Sequence, residues 1–595
     1  MSAPLEQWRA DALREVRRLQ FALRLLSRLL PLRRHAPLLW AALAGVMGAL
    51  AALLFQATTQ GLQWLLTGGF IGGQADVFRE LQPWQRALVP VAGALAAGLT
   101  LTVAARVVRQ HSLDYMEAVA LGDGILRARS SLIRSLAALF SIASGAAIGR
   151  EGPLVQLSAM AASLAGRWTR MTTARLRLLV ACGAAAGVAA AYNAPIAGAL
   201  FVAEIIVGSI AMESLGPLII ASVVGALVMR LATGDEPLYA FAGFRLAAWW
   251  ELFLFALLGI ISAFAAHLFL RSLQGGRWVF AKVSGPLWLR LALAGVVVGV
   301  IAWHFPEVTG NGQSAIRTML ATEPTAARAA LLLVLKVGAV SLVFGSGAVG
   351  GVFTPALFTG ASVGLLVGVG LKALLPSVAI EPHGYAVVGM GALLAAATQA
   401  PVTAILMIFE MSLQYQLMPP LMLAAVTAHV TARTLGTATL YGASLAAGPR
   451  SVFDKPLGAV TAGDMMRARP ATLEPGAKFR EVARLFLRAP ARELFVTHSD
   501  GTLGGVVLLS DVRPFLRDAD LAEIVTARDI VRDDVPVIER SLGLPEAMAI
   551  FSRCEHESLP VVAGKERELV GALPRSDVFL AISELARRES VRATS

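Results

Sequence analysis

Ser131-Leu-Ile-Arg-Ser-Leu-Ala-Ala-Leu-Phe140-Ser-Ile-Ala-Ser-Gly145-Ala-Ala-Ile-Gly149-Arg150-Glu151-Gly152-Pro153 sets one carboxylate between two long apolar stretches. Residues 154–166, which follow, carry no charge. An ionisable group at bilayer depth costs about 2.5–3.5 kcal/mol on insertion scales, so a chain that keeps one has a use for it. Pro153 suits the first position of a helix. That placement would put Glu151 where unpaired backbone N–H groups and the positive helix end converge. Such a point either holds an anion or is filled by one.

The surrounding composition is that of a membrane protein. The chain has 595 residues, of which 56% are apolar and 15% charged, with a mean hydropathy of +0.66. Soluble domains carry about 25% charged residues, so a polytopic membrane protein is expected. Many of the 55 glycines fall in apolar segments, where small residues let helices approach closely. The net charge of +12 does not indicate nucleic acid, because of where it lies. Eight arginines fall between Arg9 and Arg34, directly before the first apolar span at 38–54. By the positive-inside rule that end is cytoplasmic. Residues 8–30 space Leu and Phe against Arg as an interfacial helix does. No signal peptide is read: the apolar span starts late and lacks a small-residue cleavage site. Cys182 and Cys554 lie in different regions, which argues against a disulfide framework or a metal site.

Apolar segments recur to about residue 441, and many are short and broken by Gly or Pro: 154–166, 178–191, 195–209, 352–371, 385–398 and 401–411. A straight span needs about 20 residues, so several of these are tilted, paired or half-crossing. Broken helices are tolerated only where protein or a polar cavity covers their backbone. An internal repeat runs through them. Gly183-Ala-Ala-Ala-Gly-Val-Ala-Ala-Ala-Tyr-Asn-Ala-Pro195 aligns without gaps on Gly389-Met-Gly-Ala-Leu-Leu-Ala-Ala-Ala-Thr-Gln-Ala-Pro401. The match continues to Glu204 and Glu410, and Gly149-Arg-Glu-Gly-Pro153 corresponds to Gly351-Val-Phe-Thr-Pro355. Shared Ala/Gly composition would not reproduce paired Ala-Pro steps with a Glu nine residues later. Paired, Pro-interrupted segments point to a binding site at the repeat interface near the bilayer midplane.

These residues resemble the CLC family of chloride channels and chloride/proton exchangers, over about residues 38–445. Gly149-Arg-Glu-Gly-Pro153 is similar to one family motif and Gly350-Gly-Val-Phe-Thr-Pro355 to another; Tyr441 falls where the family has a tyrosine after its last membrane helix. The resemblance implies an all-α polytopic membrane fold with an inverted repeat and half-spanning helices. It implies chloride as the transported ion, a homodimer in the lipid bilayer, and, here, a bacterial inner membrane with both termini cytoplasmic. Glu151 would be the gate: ionised, it fills an anion position, and protonated, it swings away. The amides of Val352 and Phe353 would hold a central anion, with the Tyr441 hydroxyl below it. Helix N-termini suit a weakly hydrated halide, since dipoles stabilise it without a full charge that would trap it. The bland alternatives are an Arg150 partner for Glu151, plain packing for Val352 and Phe353, and an aromatic-belt place for Tyr441. Arg150 is read as structural or as a source of positive potential, and Glu204 and Glu410 as buried groups closing the repeated helices.

Two departures from the family pattern matter. Where its serine would bind the anion, a gapless count back from Glu151 reaches Gln110, within Arg109-Gln-His-Ser-Leu113; a shifted register would put Ser112 or His111 there. Exchangers also carry a second glutamate immediately after the position of Glu204, and here Ile205 stands instead. Isoleucine cannot carry a proton. The expectation is therefore passive chloride conduction gated by Glu151 protonation and by voltage, with an antiporter whose proton path uses Glu204 as the alternative. Nitrate or fluoride transport is more distant.

From about residue 459 the composition changes to short Val/Leu-rich strands alternating with amphipathic helices. Residues 465–515 and 530–582 form two similar units, with helices at 479–487 and 544–552 and strands at 494–497 and 558–562. Gly505-Val-Val-Leu-Leu-Ser-Asp511 and Gly571-Ala-Leu-Pro-Arg-Ser-Asp577 resemble the ends of CBS domains. The resemblance implies adenine nucleotide as a candidate ligand through Asp511 and Asp577. Leu508 and Pro574, however, replace the usual hydroxyl residues, which favours a dimerisation role. The expected divisions are a basic segment 1–36, a membrane domain 37–445, a linker 446–460, and CBS-like domains 461–520 and 521–586. No cofactor, metal or catalytic residue is expected. Gly345-Ser346-Gly347 with His429 is a poor match to membrane serine proteases, and no His-Glu-x-x-His zinc pattern occurs. A CBS-controlled cation transporter would line its membrane region with acids, which are few.

Overall fold

The structure, a computed structural model, describes residues 36–582 apart from 70–71, 108–113, 121, 208–211, 236, 241–242, 324, 442–456, 469, 489–492, 513–514, 516–524, 555, 565–566 and 580. The basic segment, its interfacial helix and Gln110 therefore lie outside the described residues. The chain divides into two compact units, 1–445 and 446–595.

The first unit is helical. In chain order its helices are α1 Ala36–Thr67, α2 Gln74–Glu80, α3 Pro83–Val107, α4 Tyr115–Ala120, α5 Ala128–Ala143, α6 Glu151–Trp168, α7 Thr173–Tyr192 and α8 Pro195–Phe201. There follow α9 Met212–Thr233, α10 Glu251–Ala281, α11 Leu287–His304, α12 Gln313–Ala321, α13 Ala326–Gly345, α14 Phe353–Leu374, α15 Pro382–Thr398, α16 Pro401–Ser412 and α17 Met418–Thr434. Among the described residues eight helices are long and apolar enough to cross a membrane. Helix α1 runs well past the expected end of its apolar span at residue 54. Its extra turns carry Gln56, Thr59, Gln60 and Gln63, which line a cavity and so need not face lipid.

Helices α8 and α16 are the half-crossing pair, at seven and twelve residues. Even twelve residues rise only about 18 Å against a hydrocarbon core of about 30 Å. The repeat is visible in the backbone. Asn193 and Gln399, at matched positions, both take a left-handed conformation (φ 55° and 60°) to end α7 and α15. Ala194 and Ala400 then turn the chain, with φ of −124° and −125°, and a proline opens each short helix. Close helix packing supplies the rest. A Cβ on Gly364 would lie 2.0 Å from the Tyr385 carbonyl oxygen, and one on Gly183 would lie 2.8 Å from that of Ser158. Glycine is what lets α14 touch α15 and α7 touch α6.

The second unit holds two small sheets. Strands β1 Arg467–Ala468, β5 Ile538–Glu539, β6 Ser558–Ala563 and β7 Glu568–Pro574 make one, in the order β1-β7-β6-β5. Strands β2 Thr472–Leu473, β3 Glu493–Thr497 and β4 Leu503–Leu508 make the other. The helices expected at 479–487 and 544–552 appear as Phe479–Arg488 and Leu544–Phe551. Asp511 and Asp577 do not end strands: β4 and β7 stop at Leu508 and Pro574, and both aspartates lie in the short helical segments that follow, Asp511 within Leu509–Val512. Thr461 with Asp464 and Thr526 with Asp529 form matched capping boxes at the start of each half.

Candidate anion site

Helix α6 begins at Glu151 and α14 begins at Phe353, matched positions of the two halves. Pro153 is thus the third helical residue rather than the first, and Pro355 likewise. The position is still harmless, because none of the first four N–H groups of a helix has an intrahelical acceptor. What the early start changes is Glu151. Its side chain belongs to the first turn and folds back over the preceding glycine.

The two helix-opening segments are joined. Gly149 N donates to Gly351 O at 2.6 Å and Gly351 N donates to Gly149 O at 2.8 Å, an isolated antiparallel bridge between the halves. The Glu151 carboxylate, 7% exposed, lies over this bridge. A Cβ at Gly149 would fall 1.8 Å from Glu151 Oε2, and one at Gly351 would fall 2.8 Å from it. Glycine at both positions leaves room for the carboxylate in this seat. Oε1 accepts from the Thr354 hydroxyl and, at 3.4 Å, from Asn311 Nδ2. Among the described residues Oε2 is buried without a hydrogen-bond partner. The carboxylate is thus held through one oxygen, while the other is buried without a hydrogen bond.

Below it runs a line of aromatic contacts. Tyr192 Oη lies 3.4 Å from Thr354 Oγ1, and the Tyr192 ring is 5.0 Å from that of Phe353. Phe353 meets Phe201 at 6.2 Å, and Phe201 meets Tyr441 edge-on at 5.6 Å. Val352 caps α14 and is buried with Phe353. The structure therefore brings Glu151, Val352, Phe353 and Tyr441 into one connected site. On the other side of Glu151, Arg150 opens onto a cavity of about 690 Å³ shared with Asn311, Arg317, Gln63 and Asn193. Arg150 Nη2 donates to Gln313 Oε1 at 3.4 Å, so Arg150 does not pair with Glu151.

Glu204 stands apart from this line. It lies in a π-helical turn, Val202–Val207, that continues α8. Its carboxylate accepts from Thr403 N at 2.8 Å, Thr403 Oγ1 at 2.6 Å and Val402 N at 3.4 Å. Glu410 does the reciprocal thing, accepting from Ala197 N at 2.8 Å and Ile196 N at 3.0 Å. Each repeat's glutamate thus caps the opposite repeat's half-helix, where a negative charge is favoured.

Sequence reasoning missed Thr354, Tyr192, Phe201, Asn311 and Lys336. Thr354 had a signal, because it stands inside Gly351-Val-Phe-Thr-Pro355. Tyr192 also had one, as the aromatic residue where the other repeat has Thr398. Asn311 had none beyond its Gly310-Asn311-Gly312 setting.

In the tail, Asp511 and Asp577 both hold arginines. Arg532 Nε and Nη2 donate to the two Asp511 oxygens, each at 2.7 Å. Arg467 Nε and Nη2 donate to Asp577 Oδ2 at 3.1 and 2.9 Å. Glu493 on β3 accepts from Glu557 N, Ser558 N and His556 Nδ1 at 3.0, 2.8 and 3.2 Å, stitching the two tail halves. Burial outweighs these bonds and holds its carboxyl above the ordinary glutamate value.

Fold and site define a membrane protein of two repeated halves that meet, helix start to helix start, around one carboxylate. Residues 92–433 match the voltage-gated chloride channel family, and residues 462–518 and 527–584 match the CBS domain. A ClcB-like protein of Ralstonia nicotianae is 50% identical over 411 residues, 68% of this chain and 96% of that one. The voltage-gated ClC-type chloride channel ClcB of Escherichia coli is 39% identical over 413 residues, 68% of this chain and 97% of its own length. A crystal structure of a slow cyanobacterial Cl-/H+ antiporter aligns with a TM-score of 0.61 at 25% identity, covering 69% of this chain and 97% of that one. The fold of a eukaryotic CLC transporter aligns over 91% of this chain and 97% of its own, with a TM-score of 0.63 at 19% identity. The chain belongs to the CLC family of chloride transport proteins and carries two CBS domains.

Proposed function

We propose that this protein conducts chloride passively across a bacterial inner membrane, gated by protonation of Glu151 and by voltage. The carrying observation is the seat of the carboxylate. It occupies the junction of two helix starts, tied by Thr354 and Asn311 on one oxygen only. A proton on that carboxyl removes the charge that the helix ends favour and weakens both bonds. The seat is then free for a halide, which the amides at Val352 and Phe353 and the Tyr441 hydroxyl would hold in turn. Gln110 is the proposed further ligand. Arg150 and Arg317 outnumber Asp76 in the lining of the adjoining cavity, a positive balance that draws anions toward the seat.

Passive conduction is supported by Glu204 and Ile205. Glu204, beside the expected relay position, has both oxygens committed to the start of α16, and its neighbour Ile205 cannot ionise. A second reading, chloride/proton antiport with Glu204 on the proton path, draws on the likeness to the cyanobacterial antiporter. Nitrate or fluoride as the main substrate is a more distant reading.

The basic segment before α1 argues for cytoplasmic termini, and the cavity at the far end of α1 then faces outside. Homodimerisation is part of the same proposal. The tail is read as a dimerisation module, since its candidate ribose-binding aspartates Asp511 and Asp577 already pair with arginines. Chloride efflux from proteoliposomes, measured between about pH 4 and pH 8, tests the gate. Wild-type flux should rise toward acid pH and Glu151→Gln flux should stay high throughout. A Glu151→Gln profile that follows the wild type would remove Glu151 from gating.

A further inference from the structure

Lys336 is the least expected residue of the membrane unit. It lies midway along α13, a helix apolar enough to span, and is fully buried. Among the described residues no carboxylate pairs with it. Glu307, the nearby acid on the turn before, is held by Arg79 at 3.2 Å and Arg328 at 2.6 Å. The Lys336 ammonium instead donates to three successive carbonyls: Val308 O at 2.6 Å, Thr309 O at 3.3 Å and Gly310 O at 2.6 Å. Its Nζ lies 5.9 Å from the centre of the Phe358 ring. An ammonium has three donors, and all three are spent on one stretch of loop. Packing alone would be met more cheaply by Leu or Met, so the charge has a task.

That task is legible in what the loop carries. Residue 311 follows directly on the three bound carbonyls. Gly310 N donates to Gly145 O at 2.9 Å, tying the loop to the segment that leads into Gly149. Gly310 and Gly312 flank the asparagine with φ of +65° and +97°, conformations that favour glycine. Asn311 Oδ1 accepts from Gln313 N at 3.0 Å, which leaves Nδ2 aimed at Glu151 Oε1.

We propose that Lys336 is a positioning residue: by fixing residues 308–310 it holds Asn311 as a donor to the seated Glu151 carboxylate, and so sets the pH at which chloride flux turns on. The inference rests on the reading of Glu151 as the gate. A donor to the ionised carboxylate favours the closed seat, so a displaced Asn311 lets the proton win at higher pH. Among the described residues the other ionisable groups around Glu151 are Arg150 beside it, Tyr192 of α7, Tyr239 and Tyr441. Ordinary arginines and tyrosines do not change charge in the pH range of the assay.

The test is the pH profile of chloride efflux from liposomes for wild type, Lys336→Met, Asn311→Ala, the double variant, and each change in a Glu151→Gln background. Lys336→Met should move the half-maximal pH upward by about half a unit, and Asn311→Ala by a similar amount. The double variant should move no further than either alone. In the Glu151→Gln background neither change should bring back a dependence on pH. Shifts that add in the double variant would mean that Lys336 acts by its charge and not through Asn311, which overturns the proposal. A wild-type profile in Lys336→Met also overturns it. If Lys336→Met does not assemble, Asn311→Ala tests the link through which Lys336 acts: an upward shift supports the proposal, and a wild-type profile overturns it. A pH-dependent Glu151→Gln would instead sink the gate itself, a result distinct from the others.

Discussion

The carboxylate of Glu151, the first residue of one helix, accepts a hydrogen bond from the hydroxyl of Thr354, the second residue of the matching helix in the other half. The carboxylate of one repeat is therefore held by the other. Thr354→Val keeps the shape and removes the donor. Bonds to charged groups contribute about 1.5–3 kcal/mol. The half-maximal pH of chloride efflux should rise by about one unit, with the maximal rate unchanged, because the ionised seat has lost its closest partner.

Gly149→Ala acts on the same seat by volume. The new Cβ would overlap Glu151 Oε2, the end of a side chain that can rotate away, while the Gly351 carbonyl at 2.9 Å is less able to move. Flux near neutral pH should rise several-fold and its dependence on pH should shrink. Gly351→Ala, whose Cβ meets the same oxygen at 2.8 Å, should behave likewise but more weakly. Stopped-flow efflux at two pH values measures both.

The reciprocal caps make a stability prediction. Glu410→Ala strips the Ile196 and Ala197 N–H groups of their acceptor, and Glu204→Ala does the same for Val402 and Thr403. Each should destabilise the membrane unit by about 1–3 kcal/mol, read as a lower melting temperature in detergent. Glu204→Gln keeps one acceptor oxygen and should cost less. Under passive conduction it should also leave chloride flux unaccompanied by protons, as in the wild type.

The tail should respond weakly to nucleotide. With Arg532 on Asp511 and Arg467 on Asp577, an adenosine ribose would have to displace a bidentate or forked pair at each half. Titrating ATP or AMP into the full-length protein should leave its calorimetric baseline flat. Saturable heat that disappears in Asp511→Ala or Asp577→Ala would assign a nucleotide site.

Much of this arrangement is legible in the sequence. Glu151 was marked by cost, an acid where hydrocarbon is expected, and the repeat supplied its counterpart at Gly351–Pro355 because Pro and Gly positions are spaced by backbone need. The helix start was misplaced by two residues, since Pro153 is equally tolerated at the first or third position. Thr354 was overlooked because a threonine in an apolar segment commonly satisfies itself on its own helix. Lys336 and Asn311 were out of reach for another reason. Their meaning lies in contacts across more than twenty residues of loop and helix, which neither periodicity nor motif spacing encodes. The exchange of caps between Glu204 and Glu410 was half visible: the matched glutamates could be aligned, but not the crossing that joins each to the other repeat.

Proton coupling is the sharpest division between the two readings of this site. Purified protein in liposomes, given an outward or inward chloride gradient with no pH gradient, reports both ions through external chloride and external pH. Chloride release is expected with no accompanying proton movement beyond that of protein-free vesicles, and with a rate that rises when the medium is acidified. Protons driven uphill by the chloride gradient, abolished by Glu151→Gln, would contradict passive conduction and make the protein an exchanger.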